Sequence, residues 1–364
     1  MLLQKWYNYT NAIILAHGYV GEVLGKTVHG LLMHSKIFNI VALIDEAKVG
    51  EDTSRICMGV KKKVPIYLTL NEALKHEPKV LILIGDPSQH NEKDLLMAIE
   101  NGLDIINSSF IFLKEFPQLV KSSKNKNTKL IDLRDVKRIW KMPDGSILNI
   151  QAKVVYVTGT DCGLGKRTAA FELVEEAKKR GIKAAFAATG QTGLMLGCDG
   201  GIVFDAINTN YSAGAVEELI VNLDAKGFEL IILEGQASLL HFGGSTVLTL
   251  LHASNPHAIV MVHDPTRQYH AAFGNSPIFK MCELQREIDL TESLYLPGGN
   301  RYKVVAIPTR GEGNIEKVQK LTNLPVADVR KPGGPTIILD AVIEHLKKDY
   351  NWQPQNKLCI QNNE

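Results

Sequence analysis

The chain alternates short unbroken apolar runs with longer stretches whose apolar residues recur at helical spacing. In the first half the runs are NAIILAHG (11–18), IVALIDE (40–46), VPIYL (64–68), KVLILIGDP (79–87) and IINSS (105–109). Between them GEVLGKTVHGLLMH (21–34), NEALKH (71–76) and NEKDLLMAIENG (91–102) read as helices. A strand without polar alternation is one covered on both faces. The pattern predicts an α/β fold with a parallel sheet between helices.

The alternation pauses at KSSKNKNTK (121–129), read as a solvated surface loop, and at RDVKRIWKMPDG (134–145), read as a connector. It restarts with strand KVVYVTG (153–159) and helix KRTAAFELVEEAKKRG (166–181). Strands KAAFAATG (183–190), FELIILEG (228–235), HAIVMVHDP (257–265) and KVVAIPTR (303–310) follow. Helices are expected at SAGAVEELIVNLDAKG (212–227), NIEKVQKLTN (314–323) and TIILDAVIEHLKKDY (336–350). Two α/β domains result, 1–150 and 151–350, with a polar tail at 351–364. The 364-residue length agrees, because single cores seldom grow beyond ~250–300 residues.

Composition mainly excludes. The 41 basic and 39 acidic residues leave a formal charge of +2. That balance gives no reason to expect a nucleic-acid partner. No apolar run reaches the roughly 18 residues of a membrane span, and no secretory leader is read, so a cytoplasmic, membrane-free protein is expected. The cysteines at 57, 162, 198, 282 and 359 form no CxxC pair. Neither a zinc knuckle nor a disulfide framework is indicated, and the histidines lack tight zinc spacing, so no protein-ligated metal is expected.

The strongest chemical signal is GTDCGLGKRT (159–168), lying between an apolar strand and an amphipathic helix. Glycines there let successive backbone N–H groups converge on an anion, and the helix N-terminus adds partial positive charge. Such a strand–loop–helix marks a P-loop NTPase-like domain. The expected cofactor-binding residues are Gly159, Thr160, Asp161, Cys162, Gly163, Gly165, Lys166, Arg167 and Thr168. Arg167 occupies the place of the magnesium-binding Ser or Thr, and a guanidinium has donors only. Thr168 comes one residue late, a rotation of about 100° on a helix. The loop suits a polyphosphate better than metal-dependent phosphoryl transfer.

In the first half Gly18 and Gly21 only echo a dinucleotide fingerprint, and the GKT at 25–27 is expected within a helix. Asp45 stands where a ribose would be held, and Asp86 and His90 follow a strand at its ligand-facing end. In the second half, ATGQTG and GGIVFDA place Gln191, Thr192 and Asp205 on glycine-rich loops. ILEGQASLLH adds Glu234 at a strand end, then Gln236, Ser238 and His241. VHDPTRQYH adds His263, Asp264 and Arg267, the last a candidate carboxylate clamp. Glu234 and His241 are the candidate bases. Gln191, Thr192, Asp205, Gln236, Ser238 and Arg267 are the candidate substrate contacts.

GTDCGLGKRT, ATGQTG, FDAINTNYSAGAVE and EGQASLLH together resemble the domain-of-unknown-function family DUF1611, across roughly residues 10–350. That family has a Rossmann-like N-terminal domain before its P-loop domain and includes D-glutamate N-acetyltransferase. Asn210 and Ala237 depart from the family's acid and glycine at those places. The resemblance implies acetyl-CoA as co-substrate, a D-amino acid as acceptor and a homo-oligomeric enzyme. The GTD loop is also similar to dethiobiotin synthetase and the cobyric-acid synthase group, which implies the alternative of an ATP- and Mg-dependent ligase or kinase. A non-enzymatic nucleotide or CoA sensor is the third reading.

Overall fold

The computed structural model describes residues 3, 7–21, 25–57, 59–85, 90–136, 138–271, 278–295 and 302–354. Asp86 and most of the polar tail lie outside them. The chain forms two compact units, Met1–Arg138 with Gly190–Cys198, and Ile139–Thr189 with Asp199–Glu364. The short return of Gly190–Cys198 to the first unit has no counterpart in the sequence reading.

The first unit is built on strands β1 (Thr10–Leu15), β2 (Phe38–Ile44), β3 (Ile66–Tyr67), β4 (Val80–Leu83), β5 (Asp104–Asn107) and β6 (Leu130–Asp132). They pair in parallel in the order β3-β2-β1-β4-β5-β6. This is the strand order of a doubly wound Rossmann-like sheet. Alternate residues feed two cores: Ile14, Leu43 and Ile82 on one face, Ile13, Leu81 and Ile105 on the other.

Two local expectations change here. The lysine-rich run is largely helical, within Pro117–Lys126, because proline starts the helix and Leu119 and Ser123 are buried on one side. The helix expected over 21–34 spans Lys26–His34, so GKT opens it. Gly25 permits a close approach, since a Cβ there would lie 1.8 Å from the Tyr19 carbonyl oxygen. Asp45 is fully buried, and its carboxylate accepts from the Val20 and Ala47 amides. It is a turn-forming residue rather than a free ribose acceptor.

The second unit is built on β7 (Lys153–Gly159), β8 (Ala184–Ala188), β9 (Gly200–Gly201), β10 (Leu230–Glu234), β11 (Ala258–Val262), β12 (Val304–Pro308) and β13 (Val326–Ala327). The order is β13-β12-β11-β7-β10-β8-β9, again parallel. Strand β7 is central, and all but its first residue are buried. Tyr156, Ile231, Ile259 and Val304 share one core with Ile220 and Leu223 of the helix Thr209–Ala225. Parallel pairing puts the carboxyl ends of β7, β10, β11 and β12 at one edge, where such sheets bind ligands.

Glu217 on that helix is buried, and its carboxylate accepts from the Asp144 and Ile147 amides. It fastens the connector to the helix. Glu217→Ala is expected to cost about 2 kcal/mol by stranding these donors, measurable by urea unfolding. An unchanged midpoint would mean the connector satisfies them otherwise.

Candidate functional site

The loop after β7 bends through Gly163 (φ 68°) and Gly165 (φ 102°) before the helix Lys166–Lys179 begins. The left-handed backbone at Gly165 excludes side chains sterically. Lys166 is buried, and its Nζ donates to the Asp161 carbonyl at 2.5 Å. The ammonium is thereby folded over the loop, positioned as a point charge for an anion.

The segment after β11 grips this loop. The Thr160 amide donates to the Val262 carbonyl at 3.0 Å, and its Oγ1 lies 2.8 Å from His263 Nδ1. Burial pushes His263 down to about 4, so its ring is neutral near pH 7. Asp161 is fully buried. Its Oδ2 accepts from Arg267 Nη1 at 2.6 Å and the Ala271 amide at 2.9 Å, and its Oδ1 from His270 Nδ1 at 3.0 Å. Burial acts to raise the Asp161 pKa, but these donors outweigh it and hold the group below its usual value. Arg267 also donates to the Cys162 carbonyl at 2.6 Å.

Arg267 is therefore a brace for the loop, and the substrate-clamp expectation is corrected: its guanidinium is already engaged by Asp161 and Cys162. Ligand-type atoms of Asp161, Cys162 and His241 come within 4.8 Å of one another. Arg267 places a positive charge on that same carboxylate, which disfavours a metal cation there.

His241 is buried on the loop after β10. Its Nδ1 accepts from the Gly243 amide at 3.0 Å, so the neutral ring carries its proton on Nε2. That Nε2 lies 3.5 Å from both the Asp161 carboxylate and the Ala271 carbonyl. Burial holds its pKa below the usual histidine value, with Ala271 and Asp161 opposing. With its lone pair engaged by Gly243, His241 is not poised to take a proton. The base expectation is corrected to a bracing one.

Glu234 ends β10, the neighbour of β7. Its Oε2 accepts from the Thr189 amide at 3.4 Å, and Gln236 Nε2 donates to the Thr189 carbonyl at 2.8 Å. Arg167 lies in the field of Glu234: burial lowers the guanidinium's pKa, and Glu234 pulls it back up. A protein-borne cation thus stands by the strand-end acid at the place where a metal ligand was expected. Thr168 instead lines a pocket with Arg310, Asp328 and Arg330, as its helical offset requires.

Ser238 is fully buried beside Glu287, so it is not a surface available to substrate. Asp205 is exposed on the short turn Phe204–Ala206. Gln191 and Thr192 belong to the helix Gln191–Leu196 of the first unit, where Thr192 Oγ1 lies 2.9 Å from Thr27 Oγ1. Ala237 stands at φ 41°, a left-handed position that favours glycine.

Sequence reading missed Glu287, His270 as a brace, and Arg310. Glu287 accepts from the Leu239 and Leu240 amides at 2.9 and 3.3 Å and so shapes the loop carrying His241. Burial raises it to about 7, against those amides. Arg310 had a readable signal, a basic residue just past a buried strand.

Comparison with known proteins places these features in a lineage. Residues 141–338 match the model of the DUF1611 C-terminal P-loop domain, and residues 46–136 its N-terminal Rossmann-like domain, both described as domains of unknown function. A D-glutamate N-acetyltransferase from Tritonibacter scottomollicae is 30% identical over 74% of this chain and 83% of its own. A protein of the same name from a Pseudoalteromonas species is 34% identical over 66% of this chain and 73% of its own. The crystal structure of a DUF1611 protein from Anabaena variabilis aligns with TM-score 0.83 and 29% identity, over 92% of this chain and 99% of that one. The braced glycine-rich loop and the two parallel sheets agree with these matches, which establish that the chain belongs to the DUF1611 family, with a Rossmann-like and a P-loop domain.

Proposed function

We propose that this protein transfers an acetyl group from acetyl-CoA to the amine of a D-amino acid, D-glutamate being the first candidate. The observation that carries the reading is an intact anion loop whose metal-ligand position holds Arg167, with Glu234 as its counter-charge. Such a loop can hold a diphosphate without cleaving it. The two relatives named D-glutamate N-acetyltransferase supply the chemistry and acceptor class.

In this reading the loop amides, Lys166 and Arg167 hold the CoA diphosphate. Glu234 receives the proton that the substrate ammonium must lose. The free amine then attacks the thioester carbonyl carbon, the C–S bond breaks as the nitrogen gives up its second proton to solvent, and the departing CoA thiolate takes up the proton held by Glu234. Gln236 and Asp205 are the remaining candidates for acceptor contacts.

Purified protein mixed with acetyl-CoA and a panel of D-amino acids in a chelator is expected to release free thiol. Silence with every amine sinks the reading. Magnesium-dependent ATP turnover with a small carboxylate would replace it with the ligase or kinase alternative.

A further inference from the structure

The pocket flanking the anion loop is lined by Gly165, Thr168, Thr309, Arg310, Asp328 and Arg330, among others. It sits at the carboxyl ends of β12 and β13, against the first turn of the helix Lys166–Lys179. Two of its side chains have unused polar capacity. Thr309 is 2% exposed, and its Oγ1 has no hydrogen-bond partner among the described residues. A buried hydroxyl without a partner is costly unless something binds there.

Arg310 is the second. Its Nη2 lies 2.9 Å from where a Cβ on Gly165 would stand, so the guanidinium rests on the loop itself. Among the described residues its guanidinium makes no hydrogen bond or ion pair, the Arg310 carbonyl alone accepting from Asn314. The other arginines nearby are committed: Arg330 to Asp328 through two N–H groups, and Arg267 to Asp161. The Asp264 carboxylate accepts from Thr266. The charges acting on Arg310 are Arg330 and Arg267, repulsive, and Asp328 and Asp264, attractive. These neighbours are two of each sign, and Arg310 is exposed, so its charge is open to a ligand from solvent.

The acetyl-CoA reading, on which this inference rests, says what that ligand carries. With the diphosphate on the loop amides, an adenosine end running along the first helical turn would pass Thr168 and reach Arg310 at the end of β12. Coenzyme A has a phosphomonoester on its ribose 3′ carbon, a dianionic group that a planar guanidinium grips through two parallel N–H bonds. We propose that Arg310 binds the ribose 3′-phosphate of coenzyme A and selects it over dephospho-CoA.

The test is calorimetric titration of the full chain with CoA and with dephospho-CoA, alongside thiol-release assays with their acetyl esters. Wild type is expected to prefer CoA by roughly tenfold to a hundredfold. Arg310→Gln is expected to lose that preference, by weakening CoA while leaving dephospho-CoA within about twofold, as befits one lost charge-assisted contact. Arg310→Lys, which keeps the charge without the fork, is expected to recover part of it. Equal weakening of both ligands would assign Arg310 to the diphosphate and overturn the proposal, as would a wild type that does not discriminate. Discriminating CoA binding without transfer to any amine would sink the acetyltransferase reading alone and leave Arg310 in its role. Binding of ATP but not CoA would remove both.

Discussion

Asp161→Ala is expected to lose about 3–5 kcal/mol of stability, the cost of removing one partner from a buried ion pair. The carboxylate is completely buried, and Arg267, His270 and the Ala271 amide all donate to it. Truncation strands a guanidinium, an imidazole N–H and a backbone N–H in a region with little water. The loop then loses its side-chain carboxylate tie to the segment after β11 and keeps the bonds of Thr160 to Val262 and His263, and of Cys162 to Arg267. CoA affinity is expected to fall with stability. Lys166→Ala separates the two effects, because it removes a ligand charge without opening the clamp. The decisive measurement is a double-mutant cycle by urea unfolding. Asp161→Ala should cost markedly less in an Arg267→Ala background than in wild type. Additive costs would show that Arg267 and Asp161 act independently, and the clamp would have to be abandoned.

This clamp marks where sequence reading stops. The strand at 153–159 and the loop that follows were legible because apolar runs, glycines and a lysine are local signals, and β7 runs over Lys153–Gly159. The neighbouring strands were legible for the same reason. Arg267 and Asp161 are 106 positions apart, and no local pattern says that one closes on the other. Chemistry alone suggested a substrate carboxylate for Arg267; the fold supplies a protein carboxylate instead. His241 misled similarly, since its residue type suits a base but a turn amide two residues on takes its lone pair. Arg167 was read from type and spacing as unable to bind magnesium. Its relation to Glu234 needed β7 and β10 to be adjacent. The helix Gln191–Leu196 was missed because a six-residue segment returning to another unit leaves no periodic signature.

Stability is expected to decline on both sides of a mildly acidic to neutral optimum, because buried groups titrate in opposite senses. Burial lowers His263 to about 4 and His257 to about 3, from an ordinary 6.5. The folded state keeps both rings neutral while the unfolded chain protonates them. Their contribution is complete above pH 6.5 and is lost as pH falls through the folded values. Each shift corresponds to about 3–5 kcal/mol. Glu287 runs the other way: burial raises it from 4.5 to about 7, so the folded state holds its proton more tightly. That contribution, about 3 kcal/mol, is complete below pH 4.5 and disappears as pH rises through about 7. Urea unfolding of wild type and Glu287→Gln from pH 4 to 8 distinguishes the limbs. Glutamine still offers an oxygen to the Leu239 and Leu240 amides but cannot ionise. Relative to wild type, the variant should gain about 3 kcal/mol between pH 5 and pH 8, with the acid limb unchanged. A stability difference that stays constant with pH would mean that Glu287 ionises normally beneath the loop. In the expected case the same proton bears on the site, because Glu287 holds the amides of Leu239 and Leu240 on the turn leading to His241, and Lys166 lies within its electrostatic reach.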